Sequence, residues 1–148
     1  MTRRQTLPRQ WLILHGVDDS ALSAVRRLPP DSGVLIIGQC SSLRRLRHLS
    51  RSRRLVVAVE SRGDAARVHN IAELRRALLR GVPLILLSPM FPTSSHPDWL
   101  PIPRMRAAAL ARLADRRLLA LGGMDAQRYA AVAPLGFIGW AGISAFRT

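Results

Sequence analysis

The sequence predicts an α/β fold on a parallel sheet, with a ligand site at the C-terminal ends of its strands. Three observations carry this. Leu84-Ile85-Leu86-Leu87 is an apolar run of strand length that stops at Ser88-Pro89 and gives way to Met90-Phe91-Pro92-Thr93-Ser94-Ser95-His96-Pro97. Leu118-Leu119-Ala120-Leu121 runs into Gly122-Gly123-Met124-Asp125, and Phe137-Ile138-Gly139-Trp140-Ala141 runs into Gly142-Ile143-Ser144. An unbroken apolar run, rather than an alternating one, marks a strand buried on both faces. In such sheets the loops at the strands' C-terminal ends build the site.

The remaining elements alternate in the same way. Trp11 to His15 reads as a strand. Asp18-Asp19-Ser20 offers an N-cap for a helix through about Leu28, with Ala21, Leu22, Val25 and Leu28 on one face. Pro29-Pro30-Asp31-Ser32-Gly33 breaks the chain before a strand from Val34 to Ile37. Ser41-Ser42 caps a basic helix from about Leu43 to His48, and Leu55 to Val59 makes a third strand. Asn70 caps a helix from Ile71 to about Leu79, with Glu73 in capping-box position. Gly81 stops that helix, and Pro83 leads into the strand at Leu84. Met105 to about Arg117 forms another helix, and Asp125-Ala126-Gln127 opens one that ends near Pro134. Short connections between strands and helices mean right-handed βαβ units, but this pattern alone does not separate a barrel from an open sheet.

Composition narrows the function. At 148 residues and 48% hydrophobic content the chain can bury a core as one domain, residues 1–148, without an internal repeat or linker. No apolar run reaches the roughly 18 residues of a membrane span. Arg3-Arg4 resembles a twin-arginine signal, but Trp11 to His15 is too short to be its hydrophobic region, so the expected location is the cytoplasm. Cys40 is the single cysteine, which excludes a disulfide framework and a cysteine zinc site. It reads as a small buried hydrophobe. The formal charge of +14 is carried entirely by arginine. Without lysine there is no Schiff base and no Walker lysine. Arginine used throughout reads as compositional bias, which argues against nucleic acid as the partner.

Four segments in order resemble the thiamine-phosphate synthase/TenI family of (β/α)₈ barrels. They are Val-His-Asn-Ile-Ala-Glu-Leu (68–74), Leu-Ser-Pro-Met-Phe-Pro-Thr-Ser-Ser-His-Pro (87–97), Ala-Leu-Gly-Gly-Met (120–124) and Gly-Trp-Ala-Gly-Ile-Ser-Ala (139–145). The resemblance covers roughly Val68 to Phe146. It implies an α/β TIM-type barrel, shortened by one or two strands because such barrels rarely fall below ~200 residues. The deficit falls between Val59 and Val68, where a βα unit is compressed into Glu60 to Arg67. It also implies a transferase of thiamine biosynthesis that joins a hydroxymethylpyrimidine diphosphate to a thiazole phosphate and expels pyrophosphate. On that resemblance Gly122, Gly123, Gly142, Ile143 and Ser144 form a phosphate cup, where glycine lets backbone N–H groups come close to the anion. Ser88, Thr93, Ser94, Ser95 and His96 would meet the diphosphate or pyrimidine substrate. His69 and His96 are the candidate catalytic residues.

The departures from the family pattern are specific. The family synthase uses an acidic pair for Mg2+ and a lysine in a Thr-x-Thr-Lys loop. Mg2+ is therefore expected by resemblance, but its ligands are not found in this sequence. Val59-Glu60-Ser61-Arg62 stands where an Asn-Asp would follow the third strand, His15-Gly16 ends the first strand, and His96 stands near the lysine position. A leaving pyrophosphate would then depend on arginine, with Arg62 and Arg67 nearest. The TenI-type tautomerases carry a histidine beside the end of the sixth strand, where this chain has Pro89.

Each histidine has a plainer reading too. His69 fits a hydrogen-bonded helix start, His96 an exposed loop, His15 a structural strand end and His48 a solvated helix. None has metal-ligand spacing, so no metal site is assigned. Arg44, Arg45, Arg47, Arg51, Arg53 and Arg54 form a solvated helix face or a polyanion-binding patch without interleaved aromatics. Two alternatives to the transferase follow. One is a divergent member that binds a phosphorylated heterocycle as tautomerase-like enzyme, carrier or regulator. The other is a non-enzymatic polyanion-binding protein. An incomplete barrel also leaves a strand edge, so a homodimer across the gap is expected.

Overall fold

A computed structural model describes residues 7–38, 43–115, 117–143 and 146. Arg3-Arg4, Cys40, the Ser41-Ser42 cap and the cup residue Ser144 lie outside the described residues. Seven strands, β1 (Gln10–Leu14), β2 (Gly33–Ile36), β3 (Val56–Val59), β4 (Ala65–Val68), β5 (Leu84–Leu87), β6 (Leu118–Leu121) and β7 (Gly139–Gly142), form one parallel sheet. Its order is β3-β2-β1-β7-β6-β5-β4, so the first strand lies between the second and the last. Among the described residues the sheet thereby curls into a barrel that is nearly closed, with its open side between β3 and β4. Helices α1 (Asp19–Arg26), α2 (Leu43–Ser52), α3 (Ile71–Leu79), α4 (Arg104–Leu113) and α5 (Ala126–Val132) surround it.

Both faces of β1, β2, β5, β6 and β7 are buried, which explains their unbroken apolar character. Trp11, Ile13, Leu35, Ala58, Ala65, Leu84, Leu86, Leu119 and Ala141 fill the barrel interior. Leu12, Leu14, Val34, Ile36 and Val59 face outward under Ala21, Leu22 and Val25 of α1 and Leu43 and Leu46 of α2. Val68, Ile85, Leu87, Leu118, Ala120 and Trp140 pack with Leu74, Ala77, Leu110 and Val132 of the later helices. Period-two alternation therefore sorts each strand between two apolar compartments.

The structure corrects the sequence-based reading at the deficit. Ala65 to Arg67, which the sequence places in the compressed unit, form with Val68 the strand β4, paired with β5 from Ala65↔Leu84 to Val68↔Leu87. Two alanines and an arginine give no strand signal of their own, and the pairing partner decides. Among the described residues the barrel thus has seven strands, one fewer than the usual eight. A parallel connection normally needs a dozen or more residues. Here a 3₁₀ turn, Glu60–Arg62, and two further residues suffice. The barrel's stagger explains this, because β4 begins level with the end of β3 instead of returning to its start. Asp64 N–H donates to the Val59 carbonyl at 3.3 Å, and the Asp64 carboxylate accepts Val59 N–H at 2.9 Å.

Other boundaries move less. Helix α2 continues to Ser52 rather than ending near His48, because Leu49 and buried Ser50 extend its inner face. Helix α4 ends at Leu113 rather than near Arg117, and Asp115 beyond it takes a left-handed φ of 50°. The caps at Asp18, Asn70 and Asp125 form as expected, each side chain accepting a backbone N–H of the first turn.

Candidate functional site

The C-terminal ends of the strands surround a cavity of about 910 Å³. Of the residues singled out in the sequence, Ser88, Thr93, Ser94, Ser95, His96, His69, Gly122, Gly123, Gly142 and Ile143 all line it. His15 lines it as well. The cavity also extends sideways past Ala65 and Ala66 to Arg80, along the side where the barrel is open.

Its far wall is a loop clasped to the end of β6. After the cis Ser88–Pro89 bond, Met90 N–H donates to the Leu121 carbonyl at 2.9 Å and Phe91 N–H to the Gly122 carbonyl at 3.1 Å. The two glycines are needed for this packing. Gly122 and Gly123 have φ of 101° and 60°, and a Cβ on Gly123 would lie 2.5 Å from the Pro92 carbonyl oxygen. Arg128, three residues past the α5 cap Asp125, reaches back to donate to the Gly123 carbonyl and lies 4.9 Å over the Phe91 ring. A guanidinium thus stands beside the glycine turn.

A second wall comes from β4, the neighbour of β5. Ala65 points into the barrel and Val68 out, so Arg67 and His69 share Ala65's inner face. Arg67 makes a bidentate pair with Glu60, Nε to Oε2 at 2.7 Å and Nη2 to Oε1 at 3.0 Å. This pair spans from the end of β3 to β4, across the gap in the barrel. Glu73 reaches back from the first turn of α3: its Oε2 accepts the His69 backbone N–H at 2.9 Å and lies 3.0 Å from His69 Nδ1. The hydrogen bond from the His69 side chain holds the Glu73 carboxyl below its usual range. An ionised carboxylate only accepts, so Nδ1 carries the hydrogen and Nε2 is the nitrogen left for a ligand.

Over the mouth, Trp99 stacks on His96 with ring centroids 3.8 Å apart and meets His69 edge-on at 5.2 Å. Trp99, Arg128 and Arg80 escaped the sequence reading. Trp99 had one usable signal, a large aromatic in a proline-rich loop with no strand or helix period to bury it. The arginine cluster lies elsewhere. Arg44, Arg45, Arg47 and Arg51 are exposed on α2, Arg53 donates to the Leu28 carbonyl at 3.3 Å, and Arg54 lies 3.8 Å from Asp31. His48 is exposed on the same helix.

The charged groups of the cavity favour an anion. Three arginines, Arg67, Arg80 and Arg128, line it against two acids, Glu60, which is paired with Arg67, and Asp125, which caps α5. Magnesium does not fit this donor set, since it wants one or two free carboxylates at about 2.0–2.1 Å. Among the described residues no three His, Cys, Asp or Glu converge on a metal-sized site.

The family model described as thiamine monophosphate synthase matches residues 65–146, more than half of the chain. The chain belongs to the thiamine monophosphate synthase family. The match starts at the first residue of β4, so the open side of the barrel is also its boundary. The fold of this family member resembles that of a thiamine phosphate pyrophosphorylase from Pyrococcus furiosus, with TM-score 0.72 and 17% identity over 96% of this chain and 88% of that one. It is also similar to the protein in a structure named "Native KDPGal structure", with TM-score 0.55 and 13% identity over 97% and 86%. At these identities the likeness is one of fold. No curated protein matches the chain.

Proposed function

We propose that this protein binds a thiazole phosphate in the cup of Gly122, Gly123, Gly142 and Ile143 and joins it to a hydroxymethylpyrimidine diphosphate. The single observation carrying this is the shared cavity, which is lined both by the glycine turn with Arg128 and by the hydroxyl loop of Thr93, Ser94 and Ser95. In the reaction, the bond between the pyrimidine methylene carbon and the diphosphate oxygen breaks, and its electron pair leaves with pyrophosphate. The thiazole nitrogen then supplies the pair for the new C–N bond. No nucleophilic side chain is required, so positioning and charge stabilisation are the protein's task. A cytoplasmic location belongs to the same proposal; among the described residues no helix is long and apolar enough to cross a membrane.

Incubation with both substrates, followed by mass spectrometry for thiamine phosphate, tests the reading. A product formed one-for-one with pyrophosphate supports it, and none at any enzyme concentration rejects the transfer. A second reading is favoured by His69, oriented by Glu73 in the manner of a base and its positioning group. It is a tautomerase-like proton transfer on the bound thiazole phosphate. Solvent-deuterium exchange into that ligand, lost in His69→Gln, would select it over the transfer.

A further inference from the structure

We propose that the diphosphate end of the ligand is held without a divalent cation, by the guanidinium of Arg67 presented on Glu60. The inference rests on the transferase reading and names the anion subsite of that cavity. Glu60 directly follows β3, where the resemblance puts an acid for magnesium, yet both its oxygens are taken by Arg67. Arg67 keeps three of its five N–H donors, more than enough for a second bidentate anion. It lies on the inner face of β4 and lines the cavity.

Three other carboxylates each accept a backbone N–H, and of these only Asp125 lines the cavity. Asp64 is bonded to Val59 N–H at 2.9 Å, Asp125 to Arg128 N–H at 2.7 Å and Asp18 to Ala21 N–H at 2.7 Å. The end of β3 lies beside the start of β4, so the acid that follows the first meets an arginine on the second. A bidentate Arg–carboxylate pair carries no net charge and needs no metal to screen it. The same guanidinium can then bridge carboxylate and phosphate oxygens.

Calorimetric titration with inorganic pyrophosphate, once with excess magnesium and once with EDTA, is decisive on the unaltered protein. Equal affinities, within about twofold, are expected, and Arg67→Ala, with folding checked by its melting transition, should weaken binding by about tenfold or more. Magnesium tightening the unaltered protein's binding about tenfold overturns the inference, as do pyrophosphate failing to bind and Arg67→Ala binding normally. Titration with thiazole phosphate separates the two failures. If that ligand does not bind, the transferase reading falls; if it binds while pyrophosphate needs magnesium, only the metal-free subsite falls.

Discussion

Arg128 and Gly123 are joined through the glycine carbonyl, and the same guanidinium nitrogen lies 3.0 Å from where a Gly123 Cβ would be. The turn that faces the proposed phosphate is thus also a packing joint between β6, α5 and the loop after β5. Function and structure ask for glycine here for separate reasons.

The two reasons can be separated by substitution. Gly123→Ala meets a left-handed φ, which costs a non-glycine residue about 1–2 kcal/mol, and a backbone oxygen 2.5 Å away that must shift. Urea melts should show a loss of about 2 kcal/mol or more before any ligand is added. A charged residue at this position is therefore a poor probe of the cup. Arg128→Leu is the better one, with thiazole phosphate binding expected to weaken about tenfold and stability to fall by less than about 1.5 kcal/mol. Unchanged binding in Arg128→Leu would remove the guanidinium from the anion site.

A second prediction concerns the base of the barrel. Trp11 pairs in register with Gly33, donates its indole N–H to the Pro8 carbonyl at 2.8 Å, and is 1% exposed. A Cβ on Gly33 would lie 2.2 Å from the indole, so the ring occupies the space that the glycine vacates. Gly33→Ala alone should cost about 2 kcal/mol or more by overpacking. In a Trp11→Leu background the same change should cost less than about 1 kcal/mol, because the ring is gone. Additive losses in the double-variant cycle would show that the two sites are not coupled.

These examples show what the sequence could express. Six of the seven strands were legible as apolar runs, which burial on both faces makes solid, as in Leu84 to Leu87. The seventh was not, since Ala65-Ala66-Arg67 becomes a strand only through its pairing with β5. The candidate site was legible where it depends on glycine and hydroxyl loops after strands. It was illegible where it depends on folding back: Trp99 reaches His69 across thirty positions of chain, and Glu60 reaches Arg67 only because β3 and β4 meet end to start.

The open side of the barrel bears on assembly. Val56 on β3 is 41% exposed, an apolar residue on an edge strand with no further strand beside it among the described residues. The stitches from Asp64 and Arg67 sit at the upper end, at Val59 and Glu60, and leave that lower edge uncovered. A homodimer across this edge follows as a proposal. Light scattering should give twice the 16.4 kDa chain mass, and Val56→Lys should return the monomer. A monomer for the unaltered protein at micromolar concentration would refute it.

The last prediction uses the His69–Glu73 pair. The Glu73 carboxyl is depressed below its ordinary 4.5 by the hydrogen bond from His69, so its ionised form is favoured in the folded state. A depressed carboxyl contributes stability that is present above its unfolded pKa and lost as pH falls through the folded pKa. Glu73→Gln should therefore melt below the unaltered protein near neutral pH, and the difference should shrink to nothing as the medium is acidified past that range. The side chains are 37% and 38% exposed, so solvent screening keeps the difference small. The same variant replaces the charged acceptor of His69 Nδ1 by a neutral amide oxygen, so the hold on the ring beside Trp99 weakens. If Glu73 serves only the helix cap, ligand binding will be indifferent to the change. If it also aims His69 into the cavity, solvent-deuterium exchange into bound thiazole phosphate will slow in Glu73→Gln while affinity for that ligand holds.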